Sequence, residues 1–144
     1  MQRQAGFTLI ELLIALVVVG LLTAVAVPAY GGYMLRTRLT DAYAALAGVQ
    51  PLAEQFWANE HAYEGLGDAA GFPAASENFT YAVTAESATA YTVTATGRKA
   101  AAGFAFTIDQ NGRRSTALSA ARIAEGWSAS TSCWISGKNG KCSD

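Results

Sequence analysis

The run FTLIELLIALVVVGLLTAVAVPAY, Phe7 to Tyr30, decides the fold. At 1.5 Å per helical residue it is long enough to cross the ~30 Å hydrocarbon core of a bilayer. Three features set it apart from a plain anchor. The segment before it, MQRQAG, is short, carries Arg3 as its one cation, and ends on Gly6. A secretory signal has its apolar region ahead of the cut and discards it; a cut after Gly6 would retain it. Glu11 is the second feature, because a carboxylate within hydrocarbon costs on the order of 3 kcal/mol and is kept for a partner. Pro28 is the third. It lacks an amide hydrogen and clashes with the carbonyl of Ala24, so the pattern predicts a kink or a loosened turn there, with Gly20 as a second soft point.

The hexapeptide Gly6-Phe7-Thr8-Leu9-Ile10-Glu11, followed by a long apolar helix, resembles the processing motif of type IV pilins and their pseudopilin relatives. The resemblance implies a prepilin peptidase that cuts between Gly6 and Phe7 and methylates the new terminus at Phe7. It also implies that Glu11 pairs with a neighbouring subunit's N-terminal amine during assembly, and that Gly20 and Pro28 sit where filament helices loosen. On this reading residues 1–6 are a leader, and 7–30 are a transmembrane and then filament-core segment. Residues 31–144 are a head carrying the rest of the helix. The precursor lies in the bacterial inner membrane with its head periplasmic, then joins an extracellular pilus. Arg3 precedes the apolar run while Arg36 and Arg38 follow it, so charge leaves the orientation open and the resemblance supplies it.

Beyond Tyr30 the apolar pattern becomes periodic. Leu35, Leu39, Ala42, Leu46, Val49, Ala53 and Phe56 recur at alternating intervals of four and three, one stripe of an amphipathic helix that a sheet can cover. Gly48 and Pro51 interrupt it and predict a kink or a fresh helical start at Pro51. From Glu60 to Asn78 the glycines, Pro73 and small residues read as a connecting loop with one helical turn. His61 within it has no Cys or His nearby and reads as exposed.

Two stretches, Phe79 to Thr84 and Tyr91 to Thr96, alternate aromatic or β-branched apolar residues with threonine, giving one buried and one wet face. Glu86-Ser87-Ala88 turns between them. Phe104 to Ile108 is a third strand, and Asn111-Gly112 a hairpin signal leading into a fourth, Arg113 to Ala117. The fold class is α+β: a long N-terminal helix packed against a roughly four-stranded antiparallel sheet.

Cys133 and Cys142 enclose eight residues near the end of the chain. The spacing suits neither a redox Cys-x-x-Cys nor a zinc site, and predicts a structural disulfide in an oxidising compartment. Such a bridge restrains the unfolded chain by roughly 2–3 kcal/mol. Together with Tyr91 to Gly97 and Gly103 to Gly112, the Cys133-Trp134 and Gly140-Lys141-Cys142 ending is similar to the short PilE-type minor pilins of proteobacterial type IV pili. Trp127 and Trp134 read as packing residues of that loop.

Charge is segregated. From Leu39 to Gly97 every charged side chain is acidic, whereas from Arg98 onward seven basic residues face three acidic ones. Arg98, Lys99, Arg113, Arg114, Lys138 and Lys141, with Arg122 and the nearby Trp134, form a candidate polyanion contact. The same segregation suits contacts between copies or two solvated faces. No arrangement of nucleophile and base, phosphate loop or metal cluster points to an enzyme or a cofactor. The implied partners are other pilin subunits, prepilin peptidase, the inner-membrane assembly platform, the membrane and, for a DNA-uptake receptor, DNA. A type II secretion pseudopilin remains the alternative assembly.

Overall fold

The computed structural model describes residues 6–143. Arg3 and the rest of the leader's 1–5 stretch lie outside the described residues. The chain forms two units, which divide between Met34 and Leu35.

Helix α1 spans Leu9–Glu60 and contributes to both. It runs without a break through Gly20, Pro28, Gly48 and Pro51, where the sequence predicts loosening or a fresh start. Helix nucleation is costly and propagation cheap, so bridging one defective residue is favoured over starting again. At Pro51 packing adds to this. Leu46, Val49 and Ala53 are fully buried around it, while Pro51 and Ala47, whose carbonyl loses its amide partner, are exposed to water.

In the N-terminal unit the helix has no core. Its large apolar side chains from Phe7 to Tyr33 are exposed, Phe7 at 92% and Leu9 at 79%. The helix is long and apolar enough to cross a membrane by length and composition.

The second unit holds the sheet: β1 (Phe79–Glu86), β2 (Tyr91–Gly97), β3 (Phe104–Asp109) and β4 (Arg114–Leu118), an antiparallel meander in sequence order. The predicted strands stand with their ends moved by one or two residues. Alternation puts Tyr91, Val93 and Ala95 of β2 and Phe104, Phe106 and Ile108 of β3 inward, with threonines outward. These meet the predicted stripe of α1: Leu39, Ala42, Leu46, Val49 and Ala53 are fully buried in the same cluster, and Leu35 and Phe56 half-buried at its margins. Each large side chain so buried contributes about 1.5–3 kcal/mol.

The β3–β4 connection is organised by Asp109. Its Oδ1 accepts from the Asn111 and Arg113 amides at 2.8 and 2.9 Å, and Gly112 takes a φ of +70°, which its missing Cβ permits. After β4 a short helix, α2 (Ala120–Ala124), follows its N-cap Ser119. The loop after α1 holds a 3₁₀ turn, Leu66–Asp68, with Leu66 fully buried and His61 exposed as predicted.

Candidate functional site

The candidate processing and assembly residues lie at the start of α1. Gly6 and Phe7 are exposed, ahead of the first helical residue. Thr8 and Glu11 satisfy one another. The Glu11 carboxylate accepts from the Thr8 amide at 2.8 Å and from its hydroxyl at 2.7 Å, while the Thr8 hydroxyl accepts from the Glu11 amide at 3.3 Å. This is a capping box, in which a Thr and a Glu three residues on serve the orphan donors of a helix start. The Thr-x-x-Glu spacing could have announced it from the sequence. Farther along, Gly20 faces open space, and its carbonyl accepts from the Thr23 hydroxyl at 3.0 Å. Pro28 lies within the continuous helix.

In the second unit the predicted basic set does not form one patch. Arg98 and Lys99 lie in the β2–β3 connection, and Arg113 and Arg114 at the β3–β4 turn, the opposite end of the six-residue strand β3. At about 3.4 Å per residue that separates them by roughly 20 Å. Arg98 donates to the Ser76 carbonyl, and Lys99 pairs with Glu77 at 3.3 Å in an exposed bridge of little energetic weight. Arg122 is built into the fold. It donates to the carbonyls of Ala102 and Ala100 at 2.9 and 2.6 Å, pairs with Glu125 at 2.9 Å, and lies 4.9 Å over the Phe104 ring.

Arg114 belongs with the C-terminal loop: its guanidinium sits 4.4 Å over Trp134. Trp134 is buried and stacks on Tyr43 with ring centroids 5.7 Å apart, and its indole donates to the Thr107 carbonyl at 2.8 Å. Trp127 is likewise buried, edge-on to Phe104 at 4.9 Å. Both tryptophans are packing residues, as predicted. The Cys133–Cys142 disulfide closes the loop, and Ile135 and Cys142 pair across it. Lys138 and Lys141 lie on this loop, both exposed.

Two positioning residues escaped the sequence reading. Thr116 is buried in β4; its hydroxyl donates to the Cys133 carbonyl at 2.9 Å and accepts from the Ile135 amide at 3.1 Å. Tyr43 donates its phenolic proton to the Ile135 carbonyl, and burial holds its hydroxyl well above the usual tyrosine range. Nothing in the local pattern around either residue points to a partner some twenty or ninety positions away.

Comparison with known proteins bears on both parts. Residues 1–27 match a family described as the prokaryotic N-terminal methylation motif. Residues 28–105 match one described as type IV minor pilin ComP, DNA uptake sequence receptor. A fimbrial protein of Neisseria meningitidis serogroup B is 38% identical over 74 residues, covering 51% of this chain and 44% of that protein. The type IV major pilin protein PilE1 of Neisseria gonorrhoeae is 41% identical over 56 residues, covering 39% and 34% respectively. The chain thus spans less than half the length of these curated relatives. Among solved structures, the non-core minor pilin PilV of Neisseria meningitidis aligns with a TM-score of 0.55 at 14% identity, covering 62% of this chain and 92% of that one, a likeness of fold. With the methylation motif at its start and the minor-pilin family matched over residues 28–105 of its 144, the chain belongs to the type IV minor pilins.

Proposed function

We propose that this chain is a structural subunit of a type IV pilus, processed between Gly6 and Phe7, methylated on Phe7 and assembled through the N-terminal part of α1. The observation that carries the reading is the exposed apolar surface from Phe7 to Tyr33 with an acidic residue, Glu11, near its start. In a folded chain such a surface needs lipid or other helices around it. Residues 7–30 hold the precursor in the inner membrane with the head, 31–144, in the periplasm. In the filament the same segment packs among its neighbours, where Glu11 meets an adjacent subunit's N-terminal amine. Prepilin peptidase and the inner-membrane assembly platform are its transient partners, and other pilins its lasting ones. Gly20 and Pro28 supply the places where the packed helix can give.

Mass spectrometry of sheared surface filaments tests this. The expected result is a mature terminus at methylated Phe7, present at low stoichiometry beside a major pilin. Processed protein confined to the envelope and missing from filaments would favour a secretion pseudopilus instead.

A second reading, as a receptor for duplex DNA, draws support from the description of the matching family and from the neighbourhood of Arg114, Trp134 and the lysines of the disulfide loop. Phosphate contacts make affinity fall steeply with salt. Full-length protein in detergent should bind labelled duplex in a salt-dependent manner, and R114Q/K138Q/K141Q should weaken it more than R98Q/K99Q at the far end of the sheet. Absent or salt-independent binding would dispose of the reading.

A further inference from the structure

Arg36 and Arg38 follow the apolar run on the side assigned to the periplasm, where the positive-inside tendency disfavours cations. The neighbourhood of Arg36 offers a reason for that one. Arg36, Thr37, Thr40, Asp41 and Tyr43 of α1, with Ser136 and Lys141 of the disulfide loop, line a groove of about 470 Å³, the size of a small-ligand site. Arg36 and Lys141 are exposed, and neither makes an ion pair among the described residues. Three of the groove's hydroxyls commit their protons within the fold: Thr40 donates to the Arg36 carbonyl at 3.2 Å, Ser136 to the Cys142 carbonyl at 2.9 Å, and Tyr43 to the Ile135 carbonyl. Its charged groups for a ligand are a guanidinium and an ammonium, and Asp41 adds one carboxylate.

Two cations and one carboxylate in a concavity complement a small zwitterion that carries a phosphate and a primary amine. We propose that this groove holds the phosphoethanolamine headgroup of a membrane phospholipid, its phosphate on Arg36 and Lys141 and its ammonium on Asp41. Charge-assisted contacts of this kind are the strong ones, and the guanidinium fork suits phosphate oxygens. Covalent reach puts such a lipid in range. Arg36 is six residues past Tyr30, so it lies within about 22 Å of the end of the apolar run whatever path the backbone takes. Tyr30 and Tyr33, both exposed, carry the amphipathic rings that favour the headgroup level. The phosphates of a duplex line a convex surface and call for protruding cations, so a concave groove suits a lipid better. The inference rests on the reading of residues 7–30 as membrane-held. In function, a lipid in the groove would hold the stored precursor at the membrane surface until it joins the filament.

Native mass spectrometry of the full-length protein, released into mild detergent from nanodiscs of mixed phosphatidylethanolamine and phosphatidylglycerol, tests this. The wild type should retain one phosphatidylethanolamine. R36Q/K141Q should lower that retention by about tenfold, D41N should abolish the preference over phosphatidylglycerol, and R98Q/K99Q should change neither. Retention unaffected by R36Q/K141Q, or reduced equally by R98Q/K99Q, would overturn the site. Displacement of the lipid by millimolar inorganic phosphate or by duplex DNA would overturn its assignment to lipid. The D41N readout is independent of whether the double variant folds. Flotation of the wild type with vesicles tests the membrane reading separately: a chain that fails to float defeats both, whereas a chain that floats without retaining lipid defeats the groove alone.

Discussion

The Glu11 carboxylate accepts two hydrogen bonds from Thr8, one from its amide at 2.8 Å and one from its hydroxyl at 2.7 Å. In a single copy, then, Glu11 is already partnered by its own helix start, and assembly need not begin from a bare carboxylate in hydrocarbon. On the proposed reading, the local bonds lower the cost of storing the subunit in the membrane, and a neighbour's amine would be the stronger, charge-assisted partner. Glu11→Val should therefore insert normally and fail to enter filaments, as read by membrane fractionation beside shearing and immunoblot. Equal incorporation of the variant would remove the assembly role given to Glu11.

Thr8→Val should act differently, since it takes away the cap hydroxyl and leaves the carboxylate. Loss of a Thr cap costs about 1 kcal/mol, borne by the first turn of α1. Hydrogen exchange at residues 9–12 should rise in detergent-solubilised protein, with the sheet amides unchanged. A first turn as protected as in the wild type would show that the capping box contributes nothing measurable.

The two ends of the chain differ in how much of this was legible in the sequence. The α1 stripe was readable because alternating steps of three and four keep one face inward, and the strands because their apolar and threonine residues alternate. The fresh helical start that Pro51 could have marked is absent, and α1 continues through Pro28 as well, because a proline's effect is local whereas helix continuity is set by cooperativity and, at Pro51, by burial on either side. Arg122 reads as one more surface cation, yet the carbonyls of Ala100 and Ala102 that hold it lie twenty and more positions away. The basic residues follow one another along the chain, but an antiparallel meander sends successive connections to opposite ends of the sheet. The Glu11 partner was legible, as Thr-x-x-Glu, but only when that residue is weighed as a helix cap as well as a buried charge.

Thr116 ties the C-terminal loop to β4. Its hydroxyl bonds Cys133 and Ile135, and its backbone exchanges both hydrogen bonds with Ser130 at 2.7 and 3.1 Å. Thr116→Val keeps the shape of the side chain but leaves a carbonyl and an amide without their bonds. With each unsatisfied buried group costing about 1–3 kcal/mol, the variant should lose about 2 kcal/mol or more in urea unfolding. Thr116→Ser, which retains the hydroxyl, should lose less. A valine variant as stable as the wild type would mean that water or a rearranged loop serves those groups.

The disulfide acts on the same loop by another route. Replacing both Cys133 and Cys142 by serine removes a restraint on the unfolded chain worth roughly 2–3 kcal/mol for so short a loop. Apart from the Thr116–Ser130 bridge, the sheet's ladders run within β1 to β4, so it should keep its order. Core amides of β2 and β3 should then exchange faster only by the factor that this loss of global stability sets, while residues 134–143, freed to open locally, should quicken more. Collapse of protection across the whole sheet would show instead that the loop is part of the folding core.

Tyr91 provides a test of the core through pH. Its ring is buried, edge-on to Tyr63 at 4.9 Å, and its hydroxyl is pushed up to about 12, first by burial and then by the proximity of Tyr63, Glu54 and Asp109. In the unfolded chain the same group titrates near 10. Below about pH 10 both states hold the proton and stability is unaffected; above it the unfolded chain loses the proton while the folded one retains it. Stability should therefore fall as pH rises from about 10 towards 12, with Tyr43 and Tyr81, also raised chiefly by burial, acting in the same direction. Tyr91→Phe preserves the ring and deletes the titration, so its stability should fall less steeply across that window, by up to about 1.4 kcal/mol per pH unit. Unfolding curves of the two proteins with parallel pH dependence would show that Tyr91 titrates alike in the folded and unfolded chain, and that its hydroxyl is open to water.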